Sequence, residues 1–264
     1  MPFLPLHDRN PRVRIERPYV TWALILACVL VFVAETKLAP RELESLAYGF
    51  GIVPATLLGD RVLAPELYQV PAVLTLFTSL FLHGDLMHLI GNMAYLFVFG
   101  DNIEDSMGHL RFAAFYLICG IAAGLVHILS APGSEIPTVG ASGAISGILG
   151  AYLLLHPRAK VLIPIIIIPV YLPAAWLLIF WFGFQAFEAW NVGAEESGVA
   201  WWAHIGGFVA GAILVIPFRY KTIPLWGAGD LPSGVTLSPI KSWRRRPATE
   251  AKAAKDEPKQ GPWQ

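Results

Sequence analysis

The chain has 264 residues, of which 55% are hydrophobic and only 14% charged, and its mean hydropathy is +0.56. Its 19 basic residues balance 19 acidic ones, which excludes the broad basic field of a nucleic-acid-binding surface. A soluble domain could not hide this much apolar surface, so the composition points to a multi-pass membrane protein.

The first eighteen residues form a polar arm with Arg9, Arg12, Arg14 and Arg17 interrupted by Asp8, Glu16 and prolines. No small-residue cleavage site follows the first apolar run, so a retained first helix is expected rather than a cleaved signal, and the acids weigh against a mitochondrial transit peptide. Six apolar segments follow, at 19–36, 85–104, 109–130, 142–156, 173–190 and 203–218, each read as a spanning helix. The long connection 37–84 contains the apolar stretch Val70 to Leu82, too short to span and read as interfacial or re-entrant. Beyond Arg219 the chain turns polar, with Arg244, Arg245 and Arg246, and a disordered tail over 221–264 is expected. The resulting division is an arm at 1–18, a six-span body at 19–220 and the tail. Cys28 and Cys119 both fall in apolar runs and read as small core residues.

Basic residues orient the chain. With six spans, the arginines of the arm, Arg111, Arg158, Lys160 and the basic residues from Arg219 onward share one side, against Lys37, Arg41 and Arg61 on the other. The positive-inside rule then places both termini in the cytosol. The second, fourth and sixth segments all run inward from the outer face. His88, Ser142 and His204 each lie near the start of one of them, at similar depth, which favours a shared site.

The fourth segment, Ser142 to His156, would be roughly 22 Å long as a helix, less than the hydrocarbon thickness of about 30 Å. Its start must lie below the surface, and the loop Ala131 to Ala141 must dip into the protein to reach it. Gly140 and Gly143 suit a tight backbone there, and a helix N-terminus directs free N–H groups toward developing negative charge. Taken alone, Ser142 also reads as a helix-capping serine. Small residues recur at Gly143, Gly147 and Ala151 on the fourth segment and at Ala203, Gly207 and Gly211 on the sixth, a spacing that lets two membrane helices approach closely. That packing would carry His204 to Ser142, giving a hydroxyl nucleophile and its base; a lone histidine in such a helix is otherwise a satisfied core residue.

His88 and Asn92 are four apart on one helix face. Both can donate hydrogen bonds without charge, which suits stabilisation of an oxyanion, although inter-helix hydrogen bonding explains the pair equally. His83 reads as a loop-stabilising residue. Asp85 reads as a helix N-terminal residue rather than the acid of a triad. A zinc site among His83, His88, His127 and His204 is disfavoured, because the H-E-x-x-H pattern is absent and no carboxylate completes a ligand set.

These motifs resemble the rhomboid intramembrane serine proteases. The resemblance rests on His88-Leu89-Ile90-Gly91-Asn92, on Gly140-Ala141-Ser142-Gly143, and on Ala203-His204 followed by Gly207 and Gly211, in the family's order. It covers roughly residues 19–220. It implies an all-α, six-transmembrane-helix bundle with a long first loop. Ser142 would be the nucleophile and His204 the general base, with Asn92, His88 and the Ser142 backbone N–H as the oxyanion hole. The implied substrates are transmembrane segments of other membrane proteins. Two positions depart from the family: Leu74-Thr75 stands where many members carry Trp-Arg, and Ser146 stands where some place an aromatic ring against the histidine.

The expectation is a serine endopeptidase working through a Ser142–His204 dyad and an acyl-enzyme, without cofactor or metal. Its partners would be membrane-protein substrates and the bilayer, with no nucleic acid, and a bacterial inner membrane is the default location. Two other classes compete. A catalytically silent rhomboid-like client-binding protein usually lacks the serine or histidine, and a small transporter would show paired repeats and more intramembrane charge than Glu188.

Overall fold

The structure is a computed structural model that describes residues 4–165, 168–191 and 198–227. The tail expected beyond 221 therefore lies outside the described residues from 228 onward. A helix coincides with every one of the six apolar segments: α1 (Tyr19–Glu35), α5 (Leu86–Met107), α6 (His109–Ser130), α7 (Ser142–Leu155), α8 (Ala174–Asn191) and α9 (Trp201–Phe218). The first loop adds α2 (Pro40–Phe50), α3 (Pro54–Leu57) and α4 (Thr75–Thr78). Prolines at the first positions of α2 and α3 start those helices with φ already set, and Glu42 accepts from the Ala39 backbone N–H at 2.7 Å to close the first turn of α2.

By length and apolarity α6 and α9 qualify as membrane spans. The helical stretch Ala72–Phe81 and α5 qualify together, bent by 81° at the break between them, so the stretch Val70 to Leu82 is a short broken helix set across the start of α5. The shorter apolar helices are α1 and α7. On α8 the buried side chains are Ala174, Leu177, Leu178, Trp181 and Gln185, whereas Trp176, Phe180, Phe187 and Trp190 are exposed. An apolar face of this size turned outward suits lipid rather than water.

The expectation of an all-α fold needs a correction: the molecule is mostly helical but holds a small antiparallel sheet. β1 (His7–Arg9) pairs with β2 (Lys160–Ile165), and β2 with β3 (Ile168–Pro173), in the order β1-β2-β3. The segment is rich in β-branched residues, which favour strands, and Pro164 and Pro169 oppose each other across the β2–β3 ladder, where they would break a helix.

The arm is stitched to the far end of α5. Asp105 accepts from the backbone N–H groups of Val13, Arg14 and Ile15 at 2.6–3.0 Å. Glu104 accepts from Val20 N, Thr21 N and Thr21 Oγ1, and Arg12 pairs with Asp101 at 3.0 Å. Asp8 is buried, its Oδ2 accepting from Asn102 at 2.9 Å and from the Tyr152 hydroxyl at 2.5 Å. Buried carboxylates survive here because each is met by several donors.

At the centre α7 packs more extensively against α9 than against any other helix. A Cβ placed on Gly207 would lie 2.0 Å from the Gly143 carbonyl oxygen, and one on Gly211 would lie 1.9 Å from that of Gly147. The small-residue faces expected from the sequence therefore bring the two backbones into direct contact.

Candidate active site

The loop before α7 is fastened at two points. Ile52 and Thr138 exchange backbone hydrogen bonds at 2.9 and 2.8 Å, and Gly140 N donates to Ser79 O at 2.9 Å. These bonds satisfy loop backbone that descends among helices. Gly140 has φ of +128°, and a Cβ there would sit 2.8 Å from the His88 ring and 3.7 Å from Asn92 Nδ2. Only glycine lets the chain pass this close to α5 and then start α7 at Ser142.

Four residues expected at the site line one cavity of about 810 Å³: His88, Asn92, Ser142 and His204. The fit of α7 to α9 sets Ser142 Oγ and His204 Nε2 at 2.8 Å, hydrogen-bond distance for a serine–base pair. Asp85 is the N-cap of α5, accepting from His88 N at 2.8 Å, which is the helix N-terminal role read from the sequence. One turn after His88, Asn92 is 1% exposed, and neither its amide nitrogen nor its carbonyl oxygen has a hydrogen-bond partner. A buried amide left unmatched on both sides is costly and calls for a reason. Here its location supplies one, since it borders the cavity that holds Ser142. His83 lies edge-on to His88, ring centroids 5.3 Å apart, with Nδ1 3.2 Å from Phe81 O, holding the turn before α5.

The two departures from the family pattern have visible consequences. Ser146 donates from Oγ to the Ser142 carbonyl at 2.7 Å and stays within its own helix. The rings beside His204 come from elsewhere, Trp181 of α8 at 6.1 Å and Trp201 of α9 at 6.2 Å. Leu74 is exposed and Thr75 buried, its hydroxyl donating to Ala72 O at 2.6 Å, so this pair stabilises a helical turn locally.

Three neighbours of the site are absent from the sequence reading. Gln185 of α8 places Oε1 2.6 Å from His204 Nδ1, and Trp181 lies one turn before it. A buried amide within an otherwise apolar segment was the available signal. Leu4 of the arm lines the same cavity, and nothing in its sequence context marks it.

Residues 71–221 match the sequence profile of the Rhomboid domain, more than half of the chain. RHOMBOID-like protein 5 of Arabidopsis thaliana is 41% identical over 78 residues, 30% of this chain and 25% of its own. Rhomboid protein 1, mitochondrial, of Saccharomyces cerevisiae is 30% identical over 153 residues, 54% of this chain and 41% of its own. RHOMBOID-like protein 12, mitochondrial, of Arabidopsis thaliana is 32% identical over 155 residues, 53% of this chain and 44% of its own. The chain thus spans less than half the length of these curated relatives. Two of them are mitochondrial proteins, which overturns the expectation of a bacterial inner membrane. Composition and charge bias could not make that distinction, because they report on a lipid environment and not on which compartment it bounds. With its apolar helices, its three family motifs gathered around one cavity and a profile match over more than half its length, this chain belongs to the rhomboid family.

Proposed function

We propose that the chain is an intramembrane serine endopeptidase that cleaves transmembrane segments of other membrane proteins, with all six apolar helices spanning. In this reading the arm is 1–18, the catalytic body 19–220 and the tail 221–264. The observation that carries it is the 2.8 Å contact between Ser142 Oγ and His204 Nε2, made between two helices locked by glycine-to-backbone packing.

Ser142 is the nucleophile and His204 the base. As Oγ bonds to the scissile carbonyl carbon, its proton passes to His204 Nε2 and the carbonyl π electrons move onto oxygen. The side chains of Asn92 and His88 and the Ser142 backbone N–H are the donors to that oxyanion; all are neutral, so the resting site carries no uncompensated charge in a low-dielectric setting. Collapse breaks the C–N bond, the amine leaves with the proton held by His204, and an acyl-enzyme on Ser142 remains. Water then attacks the ester, giving its proton to His204, and Ser142 recovers a proton as the acid product departs. The chemistry draws on side chains and water alone. A substrate helix must unwind to present a peptide bond, and a cavity of about 810 Å³ is roomy enough for an extended segment.

The reading is tested by fluorophosphonate labelling and by cleavage of a transmembrane substrate in purified, protease-free protein. Both are lost in Ser142→Ala; cleavage that survives this change refutes the Ser142 mechanism, whereas a native protein that neither labels nor cleaves leaves the client-binding role.

A further inference from the structure

Beyond the serine and the histidine, a third side chain touches the pair. Gln185 is 1% exposed and is the one amide on the buried face of α8, among Ala174, Leu177, Leu178 and Trp181. Its Oε1 lies 2.6 Å from His204 Nδ1, on the opposite side of the ring from Ser142. A carbonyl oxygen only accepts, so this contact requires the proton on Nδ1. Nε2 then holds a lone pair and accepts from the Ser142 hydroxyl, the protonation state a general base must have. With the amide turned about, its NH₂ would face Nδ1, the imidazole proton would move to Nε2, and the ring would donate to Ser142 instead of accepting from it.

We infer that Gln185 is the positioning residue of the site, selecting the Nδ1–H tautomer of His204 and fixing the ring plane toward Ser142, so that Ser142, His204 and Gln185 form one hydrogen-bonded row. The inference rests on the endopeptidase reading above. The choice of amide over carboxylate has a physical reason. In water-poor surroundings an aspartate or glutamate would bring a charge that must be desolvated, whereas an amide keeps the resting site neutral. When His204 takes the serine proton, the Gln185 carbonyl dipole faces Nδ1–H of the imidazolium and steadies it without ever being ionised. Trp181, one turn earlier on the same helix face, and Trp201 flank the imidazole, so the ring is held from the sides as well as at Nδ1. This accounts for a histidine that lacks an aromatic partner on α7, where Ser146 stands.

The experiment compares Gln185→Leu, Gln185→Glu and Ser142→Ala in liposomes, using a fluorogenic transmembrane peptide and ¹⁵N-histidine-labelled protein. In Gln185→Leu, kcat falls about 100-fold with KM changed less than about twofold, as for loss of general-base function. Its His204 ¹⁵N signals move from the Nδ1–H pattern toward Nε2–H. Gln185→Glu keeps the Nδ1–H pattern and restores kcat to within about tenfold of the native value. Its acid limb of kcat/KM moves to higher pH, because a carboxylate favours the imidazolium. A folded Gln185→Leu protein with native kcat and native tautomer overturns the inference. If that variant does not fold, an unmoved acid limb in Gln185→Glu overturns it equally. Cleavage retained in Ser142→Ala overturns the catalytic reading instead, and the nitrogen spectra still report whether Gln185 sets the His204 tautomer.

Discussion

Gly207 of α9 lies so close to Gly143 of α7 that a methyl group on it would meet the Gly143 carbonyl oxygen at 2.0 Å. Backbone carbonyl, unlike the far end of a side chain, cannot move aside without disturbing its helix. Gly207→Ala therefore forces the helices apart and lengthens the Ser142–His204 contact one turn away. Overpacking of this kind costs about 1–3 kcal/mol. We expect a lower melting temperature and a loss of fluorophosphonate labelling larger than the loss of folded protein.

Gly140 presents a different constraint. Its φ of +128° and the His88 ring 2.8 Å from the position of a Cβ both forbid a side chain. Gly140→Ala combines backbone strain of about 1–3 kcal/mol with displacement of His88. The expected result is a drop in kcat of at least about tenfold, with the site still reacting slowly with fluorophosphonate; native turnover would show that the loop does not position His88.

Asn92 separates activity from stability. Its amide is buried with both polar atoms unpartnered, so replacing it with an apolar side chain of similar size removes an unmet desolvation cost. Asn92→Leu should melt no lower than the native protein. Its kcat should nevertheless fall by about 10²–10³, the loss typical of an oxyanion donor. A fall in melting temperature with unchanged kcat would make Asn92 a structural residue.

Asp8 makes the attachment of the arm depend on pH. Burial, together with the nearby Asp101 carboxyl, raises its pKa to about 7 against the opposing pull of the Tyr152 hydrogen bond and Arg12. A detached arm would titrate near the ordinary 3.8. Between these values the attached arm holds a proton that the detached arm has released, so attachment is tightest below about pH 4 and weakens as pH rises to about 7. Hydrogen-exchange protection of the Val13, Arg14 and Ile15 amides, corrected for intrinsic rates, should fall across that range. In Asp8→Asn this part of the pH dependence disappears.

Much of the site was legible because membrane helices advertise themselves. Apolar length located the six segments, the four-residue spacing of small residues on α7 and α9 foretold their contact, and that contact sets Ser142 against His204. The i, i+4 relation put His88 and Asn92 on one face, and Asp85 at the head of α5 read correctly as a cap. These are properties of single helices or of two complementary helix faces, which a linear pattern can carry.

What the pattern could not carry depends on which neighbours meet sideways. Gln185 and Trp181 belong to an apolar helix in which the sequence marks an amide but not the direction it faces; their rotation toward His204, and not toward lipid, is decided by how α8 packs on α7 and α9. The β-branched residues and prolines of β2 and β3 favour strands locally, but that the distant His7–Arg9 adds a third strand beside β2 is settled only by tertiary packing. Leu4 lines the cavity beside residues far from it in the chain, and the arm that carries it is held by Leu6 N donating to Leu162 O and by the pairing of β1 with β2. The sequence alone determined the membrane class, the helices and the residue types that meet as Ser142 and His204, because those follow from local periodicity and chemistry. Tertiary structure decided which atoms face one another, because lateral packing and long-range hydrogen bonds set those distances.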